Sequence, residues 1–419
     1  MELIEKPKTV DCEIGFFSVL LGKSATSSLK PKQHLLSDYY RELSLLLVGD
    51  LSYRDTKMAM ERFRHAEKTE EVKVSTLKDR VESEGKKLSA AYVKKATDIL
   101  KTHDVDVNTG VIEASSPLAA SVSNTPLPAT LDEKTVRQHI TEYNRERDKD
   151  TKLKYGMLTS QIEANPEDCC YISIDDVGVR FQKEKRKGDY KKDKKFVENT
   201  VVHVQKGDLQ YTITAIGMQT AFLQLVAFLL ANNLMAGSHL VFLTDGARNI
   251  RENIERYFGF RPYTIILDWF HLKKKCIEYL CMILQGKKPE KDLIKQEFIA
   301  VLWTGRFDKI INFVDSIDKG KIKNDKMLAD LKGYLNRKSP CLACYALRHE
   351  LGLRISSNRV EKANDIVVAT RQKHNGMSWS KDGSGALAAI TVAKVNGELD
   401  NWITKGEVGF KLVEHKQAA

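Results

Sequence analysis

The order of apolar segments between residues 170 and 267 constrains the fold of this chain more than any other sequence feature. Residues 171–179 alternate in polarity as a half-buried strand does, and two further strand-like segments joined by Lys-Gly-Asp predict an antiparallel hairpin. Two short, continuously apolar segments then predict buried strands of the parallel kind. In chain order, the predicted elements are strands over 171–179, 200–204 and 210–216, a helix over 221–234, a strand over 239–243, a helix over 250–258 and a strand over 264–267.

This order predicts an α/β fold with a ribonuclease-H-like mixed sheet flanked by helices. Three antiparallel strands come first, and right-handed crossovers then lead into parallel strands. In that topology the first and fourth strands are neighbours. Residues 286–344 contain basic, moderately amphipathic helical segments, which predict an all-helical insertion before the apolar pattern resumes after residue 345.

The N-terminal region is predicted to be helical. Residues 36–64 have helical periodicity, and Ser52 and Asp55 form a capping box. Thr76 is predicted to begin another short helix, which ends before Gly85. Three short helices predict a helix-turn-helix DNA-binding module. A plain helical bundle is the alternative, because the second connection is long for such a turn.

Changes in composition predict the domain boundaries. Residues 114–117 and 126–128 lie in a stretch rich in Ser, Ala, Thr and Pro, which is typical of a linker. The predicted units are an N-terminal helical DNA-binding domain over 1–110, a linker over 111–132, a first part of the ribonuclease-H-like core over 133–285, a helical insertion over 286–344, and a second part of the core with a C-terminal tail over 345–419.

The charge balance favours a polyanionic partner. The 419 residues include 67 Lys and Arg against 56 Asp and Glu, a formal net charge of +11.

The longest apolar stretch, residues 221–231, is shorter than the roughly 20 residues of a membrane span, and no signal peptide is visible. Seven scattered cysteines are typical of a reducing, cytoplasmic interior, and Cys341 and Cys344 lack the second pair that a zinc site requires.

Two aspartates lie where neighbouring strands of the predicted sheet approach each other. Asp175 lies in the first strand and Asp245 follows the fourth. Carboxylates held close together repel each other unless a cation lies between them. Two divalent ions held by carboxylates are a standard arrangement for cleaving a phosphodiester. Glu361, on a helix predicted to begin near residue 356, is the candidate for the third ligand.

Asp176 adjoins Asp175 and is the alternative first ligand. In a regular strand the two side chains point to opposite faces of the sheet. We prefer Asp175, because Ile172 and Ile174 would be buried on the face that Asp176 shares.

Three motifs follow one another in the second half of the chain. They are Thr244-Asp-Gly-Ala247, Leu267-Asp-Trp-Phe-His-Leu272, and Ser357-Asn-Arg-Val-Glu-Lys-Ala-Asn364 with Arg371 and Gly376. Together they resemble the DDE transposases, above all the Mutator-like branch and the bacterial ISKra- and ISLre-type insertion sequences. The resemblance implies that Asp175, Asp245 and Glu361 are catalytic and hold two Mg²⁺ ions, for which Mn²⁺ can substitute.

The resemblance also implies a function, which is metal-dependent DNA cleavage and strand transfer of an insertion sequence. The implied partners are the element ends and target DNA, with a homo-oligomer assembled on DNA in the bacterial cytoplasm, associated with the nucleoid. The family's Cys/Asp-x-x-His signature falls on Asp268 and His271, which makes His271 a predicted catalytic residue beside the metals. A His that opens a helix is also commonly a cap or a core hydrogen-bonding residue.

Residues 183–195 form the most basic run of the chain, with eight basic and three acidic residues. The run follows the strand of Asp175, so Lys191, Lys192, Lys194 and Lys195 are predicted to bind DNA phosphates, with a solvated loop as the alternative. Arg371 and Lys373 lie in the stretch that resembles the ISKra-type proteins, and they are further predicted DNA contacts.

Two other functions remain open from the sequence. The first is a ribonuclease-H-like nuclease without strand transfer, against which the N-terminal module and the insertion argue. The second is a non-catalytic DNA-binding protein derived from a transposase, against which the complete set of carboxylates argues.

Overall fold

The computed structural model describes residues 8–12, 15–19, 38–64, 73–126, 128–155, 165–182, 196–373 and 377–414. The strands are β1 Lys8–Cys12, β2 Gly15–Val19, β3 Cys169–Arg180, β4 Phe196–Lys206, β5 Leu209–Ile216, β6 His239–Thr244, β7 Thr264–Leu267 and β8 Val413–Glu414. The helices are α1 Asp38–Val48, α2 Tyr53–Arg64, α3 Val74–Thr102, α4 Pro117–Asn124, α5 Glu133–Asn144, α6 Met218–Ala231, α7 Leu234–Gly237, α8 Arg248–Phe258, α9 Trp269–Ile283, α10 Lys288–Trp303, α11 Phe307–Ser316, α12 Asp325–Lys338, α13 Tyr345–Glu350, α14 Asn358–Asn364, α15 Thr370–Gln372, α16 Lys381–Val395 and α17 Leu399–Lys405. Short 3-10 helices lie at Lys319–Lys321 and Ser339–Cys341, and a π-helical turn at Asp365–Ala369 joins α14 to α15.

Within the described residues, the central sheet has six strands in the order β7-β6-β3-β4-β5-β8, and β1 and β2 form a separate antiparallel pair. Strands β3, β4 and β5 are antiparallel neighbours, whereas β6 pairs parallel with β3, and β7 parallel with β6. The predicted α/β fold with a ribonuclease-H-like mixed sheet is confirmed, including the contact between the first and fourth strands of the core. Strand β8 extends the sheet beyond β5, which the sequence did not predict.

Alternate residues of β6 face two different hydrophobic cores. Leu240 and Phe242 pack in the larger core with α3, α6 and α16, whereas Val241 and Leu243 pack with α9 and the insertion. Side chains of a strand alternate between faces, so both faces of the sheet are covered, which accounts for the continuously apolar sequence of this strand.

Residues 221–230 of α6 are all buried. Among the described helices, none combines the length and apolar character that crossing a membrane demands.

The predicted insertion is helical, with α10, α11 and α12 as its main elements. Its core includes Phe298, Leu302, Ile310 and Leu331, all fully buried. These residues belong to the same cluster as buried residues of β6, β7 and α9. The insertion is therefore anchored on the face of the sheet opposite to α6, beside the ends of β6 and β7.

The N-terminal helices differ from the predicted module. Ser52 does cap α2, since the Asp55 main-chain N–H donates to its Oγ at 3.1 Å. The third helix, however, does not end before Gly85: α3 has 29 residues. A Cβ at Gly85 would lie 2.3 Å from the Ala386 carbonyl oxygen, so glycine allows α3 and α16 to pack closely. The apolar face of α3 is buried in the core, so this helix is not a short, exposed recognition helix. The helix-turn-helix is therefore not confirmed.

The stretch predicted to be a linker, residues 111–132, contains helix α4. Ser116 caps this helix by accepting a hydrogen bond from the Ala119 N–H at 3.1 Å. Ala119 and Val122 are buried in the larger core. Small and apolar residues at helical spacing thus pack against the fold, although the local composition is that of a linker. The predicted domain boundaries themselves stay a prediction.

Candidate active site

Asp175 and Asp245 occupy equivalent positions on neighbouring parallel strands. The paired register of β3 and β6 ends with Ser173 opposite Leu243, and each aspartate lies two residues further along. Asp175 is still within β3, and Asp245 is the first residue after β6. The topology therefore brings together two carboxylates that are 70 residues apart in sequence.

Asp175 is largely enclosed and lies in an acidic environment. Its Oδ1 accepts a hydrogen bond from the Asp176 N–H at 2.9 Å, and its Oδ2 accepts one from Asn364 Nδ2 at 2.7 Å. Burial, together with the charges of Asp245 and Asp176, raises the pKa of Asp175 to about 6. A bound cation would relieve the repulsion between Asp175 and these two carboxylates.

Asp176 faces the other side of the strand. The pairing of β3 with β4 runs without a break from Tyr171 to Arg180, so neighbouring side chains alternate between faces. Asp176 accepts a hydrogen bond from Thr200 Oγ1 at 2.6 Å, and burial raises its pKa. Ile172, on the same face, is fully buried. Both aspartates interact electrostatically with Asp245, and Asp175 interacts with His271 as well.

Asp245 lies in a tight turn that requires glycine next to it. Its Oδ1 accepts a hydrogen bond from the Ala247 N–H at 2.7 Å. Gly246 has φ 76°, in the left-handed region that favours glycine. A Cβ there would also lie 2.8 Å from Leu267 Cδ1. The Asp-Gly sequence is thus explained by the turn, which leaves the Asp245 side chain exposed.

Asp268 is buried and connects two parts of the site. Its Oδ1 accepts a hydrogen bond from the His271 N–H at 2.7 Å and lies 3.2 Å from His271 Nδ1. Its Oδ2 accepts from the Ser357 N–H at 2.6 Å and from Ser357 Oγ at 3.0 Å. Burial would raise the pKa of Asp268, but these hydrogen bonds lower it below its usual value. Asp268 therefore caps α9 and ties it to the residue before α14.

Glu361 lies in the first turn of α14, close to His271. Glu361 Oε1 is 3.5 Å from His271 Nδ1, and both side chains are about half exposed. The hydrogen bond to Asp268 raises the pKa of His271, and the negative charge of Glu361 adds to this effect. His271 is thus both part of the helix cap and a neighbour of a predicted metal ligand, so the two interpretations of this residue are compatible.

Within the described part of the chain, one trio of side chains has ligand atoms within 4.8 Å of one another, namely Asp268, His271 and Glu361. Both oxygens of Asp268 already accept hydrogen bonds, which makes it an orienting residue rather than a free ligand. Asp175 and Asp245 lie outside this trio. The charges of Asp175 and Asp245 interact with each other and with His271. Glu361 is in contact with His271.

The donors at this site suit a hard divalent cation. Carboxylate oxygens are the ligands that Mg²⁺ and Mn²⁺ prefer, and Asp175, Asp245 and Glu361 provide them. Asn364 Oδ1, on the amide that binds Asp175, is buried with no hydrogen-bond partner among the described residues. A bound cation or one of its waters would satisfy this oxygen.

A cavity of about 290 Å³ opens beside Asp245. Its lining comprises Asp245, His271, Lys274, Lys275, Glu278 and Tyr334. Tyr334 comes from the insertion helix α12, and the two lysines are exposed on α9. Cations at the rim of an acidic centre suit a polyanionic ligand.

The predicted DNA contacts have different outcomes. Arg371 is 2% exposed, and its guanidinium lies over the rings of Tyr53 and Trp379, at 5.3 and 5.2 Å from their centroids. It is a core residue, and the prediction that it contacts DNA is not supported. Lys373 is exposed, so it stays a candidate. The four lysines of the basic run, Lys191, Lys192, Lys194 and Lys195, lie outside the described residues.

Sequence reasoning did not assign two residues that complete the site. Asn364 follows Glu361 by three positions, a helical spacing that places both on one side of α14 and that could have indicated it. Lys338 reaches the Asp245 turn from the insertion, and its Nζ donates a hydrogen bond to the Gly246 carbonyl. Because 92 residues separate these partners, no local sequence signal indicates their contact.

No family model matches the chain, and no curated protein matches it in sequence. Among solved structures, the chain is similar to the Drosophila P element transposase in its strand transfer complex, with a TM-score of 0.28 and 10% sequence identity. The similarity covers 92% of this chain and 85% of the other. A TM-score this low supports neither a shared fold nor a shared activity.

Proposed function

We propose that this protein is a DDE-type DNA transposase, which cleaves DNA and transfers the cut strand in a metal-dependent reaction. The observation that supports this most strongly is the placement of Asp175 and Asp245 at equivalent positions on parallel neighbouring strands, with Glu361 held nearby on α14. A hydrogen bond from Asn364 to Asp175 connects that helix to β3. The motif resemblance and the net charge of +11 agree with a DNA substrate.

Asp175, Asp245 and Glu361 would hold two Mg²⁺ ions, with Mn²⁺ as a substitute. When bound, these ions activate the attacking oxygen and stabilise charge on the phosphodiester. Asn364 orients the Asp175 carboxylate through its hydrogen bond. Asp268 fixes the beginning of α14, the helix that carries Glu361. His271, whose pKa is raised, can donate a hydrogen bond to a DNA oxygen beside Glu361.

Lys274 and Lys275 lie on the rim of the cavity next to Asp245. Their charges would bind backbone phosphates and position the strand without reading its sequence. The DNA partners would be element ends and target DNA, bound by a homo-oligomer. A bacterial, nucleoid-associated location belongs to the same proposal.

The full-length protein should be incubated with Mg²⁺ and a duplex that carries the DNA flanking its own gene. We expect nicks at the element ends and products joined to a target plasmid. Asp175→Asn, Asp245→Asn and Glu361→Gln should each abolish both products while DNA binding persists. Asp208→Asn is the matched control, because Asp208 is exposed in the turn between β4 and β5. Activity in Asp175→Asn, with loss in Asp176→Asn, would identify Asp176 as the first ligand.

A nuclease without strand transfer is the second candidate. It is favoured by the N-terminal helices, since α3 is buried against α16 and α6 rather than forming a separate DNA-binding module. Cleavage without any joined product, under conditions in which the cut 3′ ends are intact, would support this candidate over the transposase.

A further inference from the structure

Lys338, the last residue of α12, reaches from the insertion to the turn that carries Asp245. Its Nζ donates a hydrogen bond to the main-chain carbonyl of Gly246. A Cβ at Gly246 would lie only 2.7 Å from this nitrogen. The ammonium is also 5.8 Å from the ring centroid of Tyr334, one turn earlier on the same helix. The insertion thus places a half-buried cation beside the second predicted metal ligand.

Other basic groups lie close to Lys338 and Asp245. Arg251 of α8 donates from Nη1 to the carbonyl oxygen of Arg337 at 3.3 Å, so α8 meets the end of α12 here. Lys274 and Lys275 of α9 lie, together with Glu278, in the cavity that Asp245 lines. Three separate helices therefore bring cations to the neighbourhood of Asp245, which suits a polyanion whose reacting group lies at that centre.

The ammonium of Lys338 has the capacity to bind a ligand. A lysine can donate three hydrogen bonds, and within the described part of the chain its acceptor is the Gly246 carbonyl. Partial burial of a charge is unfavourable unless the charge is paired.

We propose that Lys338 binds a backbone phosphate of the DNA strand held at Asp245, so that the helical insertion supplies part of the phosphate contacts of the active site. This inference rests on the proposed function. It gives the insertion a direct role in substrate binding, in addition to covering one face of the sheet.

The test compares Lys338→Met and Lys338→Arg in the full-length chain. Lys326→Met is the matched control, because Lys326 is exposed in the first turn of the same helix. Binding to a random-sequence duplex is measured over a salt series at fixed Ca²⁺, which prefers oxygen ligands as Mg²⁺ does. Lys338→Met should lower the slope of log affinity against log salt by about 0.9, the effect of one lost phosphate contact. Lys338→Arg and the control should keep the slope of the wild type.

A second measurement uses the wild-type protein, so it does not depend on whether a variant folds. In the unmodified protein, duplex DNA should protect the Lys338 amine from an acylating reagent more than it protects Lys326. Equal protection of the two lysines, or an unchanged salt slope in a folded Lys338→Met variant, would overturn the inference. A loss of cleavage rate in that variant with no change in slope would assign Lys338 to holding the Gly246 turn, and would overturn the inference as well.

Failure of the proposed function gives a different result. If Mg²⁺-dependent cleavage requires Asp245 but Lys338 behaves like Lys326 in both measurements, the proposed function stands and the inference fails. If DNA protects Lys338 and the salt slope falls, yet the wild type cleaves no DNA, the phosphate contact stands and the catalytic proposal fails.

Discussion

The side-chain amide of Asn364 donates a hydrogen bond to the carboxylate of Asp175, with 2.7 Å between Nδ2 and Oδ2. Asn364 lies one turn after Glu361 on α14, so this bond joins the strand of one predicted metal ligand to the helix of another. A second contact, from Asp268 to Ser357, fixes the beginning of the same segment. The position of Glu361 relative to the two aspartates depends on these two contacts.

Asn364→Ala should lower the rate of metal-dependent DNA cleavage by about 10- to 100-fold, since residues that orient metal ligands have effects of this size. Calorimetry with Mn²⁺ should show a parallel loss of affinity. Asn358→Ala is the control, because Asn358 is exposed at the start of α14. Equal cleavage rates in the two variants would show that the contact with Asp175 does not position the site.

Asp268→Asn should lower the pKa of His271. The hydrogen bond to the Asp268 carboxylate is the largest cause that raises this pKa, and the substitution removes its charge. An NMR titration of the His271 ring in the wild type and the variant measures the change. His139, a half-buried residue of α5, serves as the internal reference. A His271 titration that is unchanged in Asp268→Asn would contradict the proposed coupling.

Gly85→Ala should destabilise the protein, although alanine is the better helix former by about 1 kcal/mol at an unconstrained position. The added Cβ would lie 2.3 Å from the carbonyl oxygen of Ala386, which is main chain and cannot move without displacing α16. Gly333→Ala, on α12, is the matched control, because its Cβ would meet only the flexible end of Arg337, at 3.2 Å. Urea unfolding should therefore show a loss of stability for Gly85→Ala and a gain for Gly333→Ala. A gain in both would mean that α3 and α16 can separate at little cost.

Glu398 should make stability depend on pH in acidic solution. Burial raises the pKa of its carboxyl, which accepts hydrogen bonds from the Tyr92 and Tyr211 hydroxyls and from the Phe410 N–H. Because the folded-state pKa is above the ordinary value, the stability linked to this group is fully present below pH 4.5 and is lost as pH rises through the raised pKa.

Glu398→Gln tests this sign directly. The free energy of unfolding of the wild type minus that of the variant should decrease as pH rises through this window, as measured by urea unfolding at a series of pH values. Asp400→Asn, at a neighbouring exposed position, should show no such trend. A difference that grows with pH would mean that the hydrogen bonds, rather than burial, dominate the titration of Glu398.

The sequence alone determined five strands of the sheet and the order in which they pair, but not the edge strand β8. Alternating polarity in residues 171–179, the Lys-Gly-Asp turn between the next two strands and the continuous apolar runs in β6 and β7 are all local patterns, because the spacing of a strand's own side chains indicates which of its faces are buried. The same topology placed Asp175 and Asp245 on neighbouring strands. The helical character of residues 286–344 was likewise apparent from local periodicity.

Only the tertiary structure decided how distant segments meet. Gly85 has the local signature of a helix end, yet α3 continues through it because α16 packs against its missing side chain. Arg371 has the local signature of a DNA contact, yet it is buried against Tyr53, more than 300 residues earlier in the chain. The contact of Lys338 with Gly246 and that of Asn364 with Asp175 are also set by how whole elements pack. Periodicity shows which face of an element is buried, but the partner of that face is selected by the summed packing of the entire core, which no short window of sequence contains.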